Sequence, residues 1–374
     1  VGIVTKTIDR KEMPLSFSRG VDRTDIANAT PRACIAESIT HIRRDIMIKT
    51  WAMRPLLAAV TTAVALTAAA PAQAQSTLRM AYALSTSSHY GAGGNAFAKS
   101  LENSSAGKYK VQQFANSALG GEREVIEGLQ LGTIDLAIVS TGATLNFVPE
   151  TGVFDIPFLL RDLPHARAVL DGPTGQNMLA KFPKRGLIAL AWGEQGFRHL
   201  TNNVRPVATP ADAKGLKIRT TENPIHIAAF RQIGILPTPM AWPEVATALQ
   251  QGTIDGQENP LSVITSAKLS QIQKYLSLTG HVYGPALVLM SPSVYDGLSD
   301  KEKAAFQQAG KDSARAMRDY VDAIEINGVE QLKKEGMQVT EVDRDAFAKA
   351  VEPAYPEYYK KFDKALIQSI RDTK

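Results

Sequence analysis

Apolar positions four residues apart recur in two segments of this chain that are nearly the same segment. Glu124-Val-Ile-Glu-Gly-Leu-Gln-Leu-Gly-Thr-Ile-Asp135 and Glu244-Val-Ala-Thr-Ala-Leu-Gln-Gln-Gly-Thr-Ile-Asp255 agree at eight of twelve positions. Val125 with Leu129, and Val245 with Leu249, each mark one face of a helix. Gly132 and Gly252 follow where a helix terminus takes a left-handed residue, and β-prone residues come next. Each copy therefore predicts a helix-to-strand step in its own α/β lobe. Two related lobes leave a cleft between them, and ligands of open α/β sheets collect at the carboxyl ends of strands.

The remaining pattern fills in both lobes. Strands are expected over 77–83, 108–114, 135–140 and 187–192, with a helix over 89–103 capped by the hydroxyls of Ser85 to Ser88. Such a helix start serves either as plain capping or as an anion site. Phe154 to Leu160 reads as core. Gly193 to Gly196 reads as a short link at which the chain crosses to the second lobe. There, 216–220 alternates as a strand with Lys217 and Arg219 on one face, and 224–233 reads as a helix. Pro243 is placed to open the second repeat helix, and 255–260 reads as the loop matching Ser140-Thr141-Gly142 in the first lobe. A strand over 282–290 passes back. Ser299-Asp-Lys-Glu302 is a capping box, and the helical pattern after it runs to about Lys334 without a proline. About 35 residues at ~1.5 Å each give roughly 50 Å, long enough to back both lobes.

The N-terminal portion breaks this regularity. Residues 47–74 have a basic start at Lys49 and Arg54, an apolar run from Leu56 to Ala70, and end in Ala72-Gln-Ala74. That is the pattern of a secretory signal cleaved after Ala74. Residues 1–46, upstream of Met47, carry mixed charge without a period and read as a leader from a start called too early. The single cysteine, Cys34, falls in that leader, so the expected mature chain has no thiol chemistry. From residue 75 onward there are thirty-two Lys and Arg against thirty-one Asp and Glu, so the isoelectric point of about 9.1 carries no nucleic-acid reading. About three hundred residues suit two domains of ordinary size. Lobe 1 is expected over 75–195, completed by about 285–325, and lobe 2 over 196–284, completed by about 326–374.

Enzyme signatures are missing. The sequence holds no Gly-x-x-x-x-Gly-Lys, no Gly-x-Gly-x-x-Gly after a strand and no Gly-x-Ser-x-Gly elbow. His89, His165, His199, His226 and His281 are scattered without metal-ligand spacing. Neither a cofactor nor a metal is expected. Instead the cleft candidates are of one kind: Arg198, Arg219, Trp242 and the Gln257-Glu258-Asn259 run. Forked guanidinium donors suit a carboxylate, a ring gives a carbon skeleton something to lie on, and an amide both donates and accepts. Each residue also has an ordinary structural reading, surface arginine or core tryptophan, and Glu258 reads better as a salt-bridge partner.

Four stretches together resemble the substrate-binding proteins of TRAP transporters, periplasmic receptors for organic acids. They are Asn116-Ser-Ala-Leu-Gly-Gly-Glu-Arg-Glu124, Gly196-Phe-Arg-His-Leu-Thr-Asn-Asn203, Gly215-Leu-Lys-Ile-Arg-Thr220, and Pro237 through Asp255-Gly-Gln-Glu-Asn-Pro-Leu261. The resemblance covers residues 76–374. It implies a two-lobed type II periplasmic-binding α/β fold, with hinge strands and a long helix contacting both lobes. It further implies that Arg219 pairs with a ligand carboxylate, that Arg198 and Asn259 assist, that Trp242 packs on the ligand, and that Glu122 lines the cleft. Ser140 stands where the sialic-acid binders carry a glutamate, which points to a smaller acid. The implied partners are a carboxylate ligand and the small and large membrane subunits of an ion-gradient-driven transporter, and the implied location is the periplasm; separately, a monomer is expected. Two other classes share the cleft: a binding protein of an ABC transporter or sensor, and an exported α/β enzyme with Glu122 or Glu258 as its acid or base.

Overall fold

The computed structural model describes residues 75–374. The expected leader, signal segment and Cys34 lie outside the described residues. The fold is built on one mixed sheet whose strands are β1 (Ser76–Tyr82), β2 (Tyr109–Phe114), β3 (Leu136–Ser140), β4 (Ile188–Asn202), β5 (Lys217–Thr220), β6 (Leu236–Pro239), β7 (Gly256–Pro260), β8 (Tyr275–Met290) and β9 (Gln338–Thr340). They lie in the order β2-β1-β3-β8-β4-β7-β5-β6, with β9 beside β8. The antiparallel ribbon β4/β8 runs from Ile188↔Met290 to Asn202↔Tyr275. β3 joins the Ala286 to Met290 end of β8, whereas β7 joins the Arg198 to Asn202 end of β4. Parallel strands thus gather at opposite ends of a shared two-stranded hinge, β1 to β3 at one and β5 to β7 at the other.

Both repeat helices form. They span Glu122–Leu131 and Trp242–Gln250, and Gly132 and Gly252 adopt φ of 73° and 69°. Trp242 is the first helical residue, one before the expected Pro243. Val125, Leu129, Val245 and Leu249 are all buried, as the spacing requires.

Two expected loops are strands instead. Gly193 to Gly196, read as a link, lies inside β4, where β8 supplies the backbone partners and the register shifts between Glu194 and Gly196. The glycines serve close packing there: a Cβ on Gly193 would sit 2.1 Å from Met317 Cε. Residues 256–260, read as a loop, form the fully buried β7. Its polar side chains fit because each is hydrogen-bonded, for example Gln257 Nε2 to Thr201 Oγ1 at 2.9 Å.

The long helix spans Asp300–Lys334, 35 residues, opened by the Ser299/Glu302 capping box. Lys333 and Lys334 in its last turn oppose the negative end of its dipole. It packs on helix His89–Ser104, on β4 and on helix Leu261–Ser266, touching elements at both ends of the hinge. Gly310 against Leu190 and Gly328 against Leu261 allow that approach. The C-terminal helices tie down a further seam, with Tyr355 Oη donating to Pro157 O at 2.6 Å and Tyr358 Oη to Ile225 O at 3.1 Å.

Candidate ligand-binding site

The two halves of the sheet aim different chemistry at one small cavity. Glu122, at the start of the first repeat helix, and Ser140, at the end of β3, come from the first lobe. Arg198 on β4, Arg219 on β5, Asn259 on β7 and Trp242 at the second repeat helix come from the hinge and second lobe. All six line a cavity of about 40 Å³, joined by Tyr90, Gln195, Thr221, Ala83, Leu84 and Val263. Space for a water takes ~10–15 Å³, so the volume admits about three water-sized groups between the lobes.

The two arginines are held differently. Arg198 is committed to its own lobe: Nε donates to Glu258 Oε2 at 2.5 Å, and Nη2 to Glu258 Oε1 at 2.9 Å, Glu258 O at 2.7 Å and Asn259 Oδ1 at 3.1 Å. Burial opposes both charges, but each stabilises the other, so the Arg198 pKa is raised and that of Glu258 is held well below the carboxylate range. His281 Nε2, 3.2 Å from Glu258 Oε2, supports the same carboxylate. Glu258 is therefore the salt-bridge partner that its position suggested, and it does not line the cavity.

Arg219 has no such partner. It is 3 % exposed, and its Nε and Nη2 both donate to Met240 O, at 3.0 and 2.7 Å. It makes no ion pair among the described residues, and its guanidinium lies over the Trp242 ring, 5.7 Å from the centroid. Burial pulls its pKa down to about 10. A buried guanidinium held only by a carbonyl and a ring is a cation awaiting an anion.

Across the cavity, Glu122 accepts from Ser140 N at 2.8 Å, from Ser140 Oγ and from Tyr90 Oη at 3.4 Å. Burial pushes its carboxyl above the usual range, against the pull of the Ser140 bonds. Asn259 is oriented by a bond from its Nδ2 to Gln257 Oε1. Gln257, a sequence candidate, does not line the cavity and props Asn259 from behind. Ser88 caps its helix by accepting from Gly91 N at 3.3 Å, the plain-capping alternative for that hydroxyl cluster.

Sequence reasoning missed Tyr90, Gln195 and Thr221. Tyr90 lies two residues past the capping serine, Gln195 within the misread link, and Thr221 just after the strand bearing Arg219. Asp155 and His226 lie buried 3.6 Å apart, outside the cavity lining. Burial raises Asp155 to about 7 and lowers His226 to about 3, so the pair is neutral at mildly acidic pH and not a salt bridge.

Residues 80–361 match the family described as bacterial extracellular solute-binding protein, family 7. The chain belongs to this family. Among solved structures of TRAP periplasmic solute-binding proteins, one from Bordetella bronchiseptica, with density assigned to pantoate, is 88 % identical. It aligns over 80 % of this chain and 100 % of its own with a TM-score of 0.80. Another, from Polaromonas and bound to D-erythronate, is 52 % identical over 80 % of this chain and 99 % of its own, with a TM-score of 0.79. The 2,3-diketo-L-gulonate-binding periplasmic protein of Escherichia coli is 38 % identical over 74 % of this chain and 85 % of its own length. The receptor thus has the two-lobed type II fold of TRAP solute-binding proteins, a family whose members are periplasmic solute receptors.

Proposed function

We propose that this TRAP receptor captures a short organic acid by its carboxylate on Arg219, with Arg198 and Asn259 assisting, Trp242 packing on the carbon skeleton, and Glu122 and Ser140 lining the opposite wall. The observation that carries this reading is the Arg219 guanidinium, buried, stacked on Trp242 and without an acidic partner. Pantoate and D-erythronate, the acids associated with the similar Bordetella and Polaromonas proteins, are short acids that each offer one carboxylate to a guanidinium such as Arg219. The protein is exported through a signal ending at Ala74 and works as a monomer. It passes its ligand unchanged to the small and large membrane subunits of an ion-gradient-driven transporter. No catalytic step is assigned: Glu258 is spent on Arg198, and Glu122 is already bonded by Ser140 and Tyr90.

A thermal-shift screen of ligand-stripped protein against mono- and dicarboxylates tests the reading. Ligand at a hundredfold excess over its Kd adds about 2.7 kcal/mol, roughly 5 °C for a chain of this size. At least one short carboxylate is expected to give such a shift, and a flat response across the panel would contradict the proposed function.

A further inference from the structure

The cavity is polarised. Its second-lobe side presents two guanidinium groups, and its first-lobe side presents Glu122. Every bond the protein makes to the Glu122 carboxylate is a donation to it: the Ser140 N–H, the Ser140 hydroxyl and the Tyr90 hydroxyl. Those two hydroxyl hydrogens are thereby used, which leaves no first-lobe side-chain donor among the lining residues for a second ligand carboxylate; the unpartnered hydroxyl in the lining, that of Thr221, comes from the second lobe. No cation pairs with Glu122 among the described residues. Its remaining lone pairs accept hydrogen bonds, and a ligand hydroxyl supplies them.

The charge balance of the cavity agrees. Arg198 is paired directly with Glu258, whereas Arg219 makes no direct ion pair and feels Glu122 only across the cavity, so one guanidinium is open to direct pairing with one ligand carboxylate. Outward from Arg219 and Trp242 lies a second chamber of about 190 Å³, where Glu124, Glu222 and Glu244 face a single added cation, Arg123. Arg123 is itself paired with Glu127 at 3.1 Å. A longer diacid reaching outward meets carboxylates there too.

We propose that Glu122, fixed by Ser140 and Tyr90, is a specificity-determining residue: it admits short monocarboxylates that carry a hydroxyl and turns away dicarboxylates. The proposal rests on Arg219 as the carboxylate clamp. Two matched pairs of acids test it, each differing only by oxidation of a terminal CH₂OH to a carboxylate: D-erythronate with meso-tartrate, and pantoate with 3,3-dimethylmalate. Titration calorimetry of the purified protein is expected to show the monoacid of at least one pair binding about 100-fold or more tighter than its diacid. In Glu122→Gln, whose amide donates to a carboxylate, that ratio is expected to narrow at least about tenfold, mainly through tighter diacid binding. Diacid binding within about threefold of the monoacid in the wild type, or an unchanged ratio in a folded Glu122→Gln, would overturn the proposal while leaving the Arg219 reading intact. If the variant does not fold, the wild-type ratio decides alone. Failure of the wild type to bind any of the four acids would overturn this proposal together with the reading it rests on.

Discussion

Arg198 and Glu258 form a buried, two-pronged ion pair, Nε to Oε2 at 2.5 Å and Nη2 to Oε1 at 2.9 Å, that ties hinge strand β4 to β7. The pair separates the roles of the two cavity arginines. Arg198 arrives already paired and assists by position, whereas Arg219 arrives without a direct ion pair.

Removing the partner of Arg198 leaves a buried, unpaired guanidinium. Glu258→Ala is therefore expected to destabilise the protein by about 3–5 kcal/mol in urea unfolding. A loss under about 1 kcal/mol would show that water or a neighbouring group takes over the charge.

Asp155 gives a pH dependence of definite sign. Burial raises its folded-state pKa from 3.8 to about 7. Folding therefore favours the protonated acid: the stability it contributes is complete below about pH 4 and is lost as pH rises to about 7. Asp155→Asn, neutral at every pH, escapes that loss. Its stability relative to wild type is expected to rise between pH 5.0 and 7.5 by on the order of 2 kcal/mol. Urea unfolding of both proteins at the two pH values measures this, and a difference that does not change with pH would contradict it.

Trp242 should report occupancy. Of the chain's three tryptophans, Trp192 is buried edge-on against Phe154, Trp51 lies outside the described residues, and Trp242 lines the cavity. Ligand addition is expected to change intrinsic fluorescence in the wild type and to leave Trp242→Phe largely silent. An equal change in the variant would move the signal away from the cleft.

Gly256 is set for strand contact. A Cβ there would stand 1.9 Å from Thr201 O, a backbone atom of the paired strand. Gly256→Ala should cost about 2 kcal/mol or more by prising β7 from β4. An unchanged denaturation midpoint would mean that the sheet relaxes around the methyl group.

Much of this architecture is legible in the sequence because it rests on local signals. The repeated helix-to-strand phrase, the glycines at 132 and 252 and the Ser299/Glu302 box each act within a turn or two of the chain. The hinge is not legible in that way. Gly193 and Gly196 mark a loop when read locally, yet they lie in β4 because β8 and Met317 approach from far along the chain. Residues 256–260 look too polar for a buried strand until Arg198, Thr201 and His281 are seen to satisfy them. Side-chain chemistry and the family resemblance point to six candidate residues, and the fold places all six around one cavity. Tyr90, Gln195 and Thr221 carry no motif, and only the closeness of the lobes places them there.

The most direct test of the central claim is titration calorimetry of pantoate and D-erythronate against the wild type and Arg219→Ala. Deleting the guanidinium leaves a ligand carboxylate buried without its partner, so at least one acid that the wild type binds should bind Arg219→Ala more weakly by about 2–5 kcal/mol, roughly 30- to 5,000-fold. An Arg219→Ala protein that folds and binds that acid as tightly as the wild type would contradict the account, because the buried cation on which it rests would then have no part in capture.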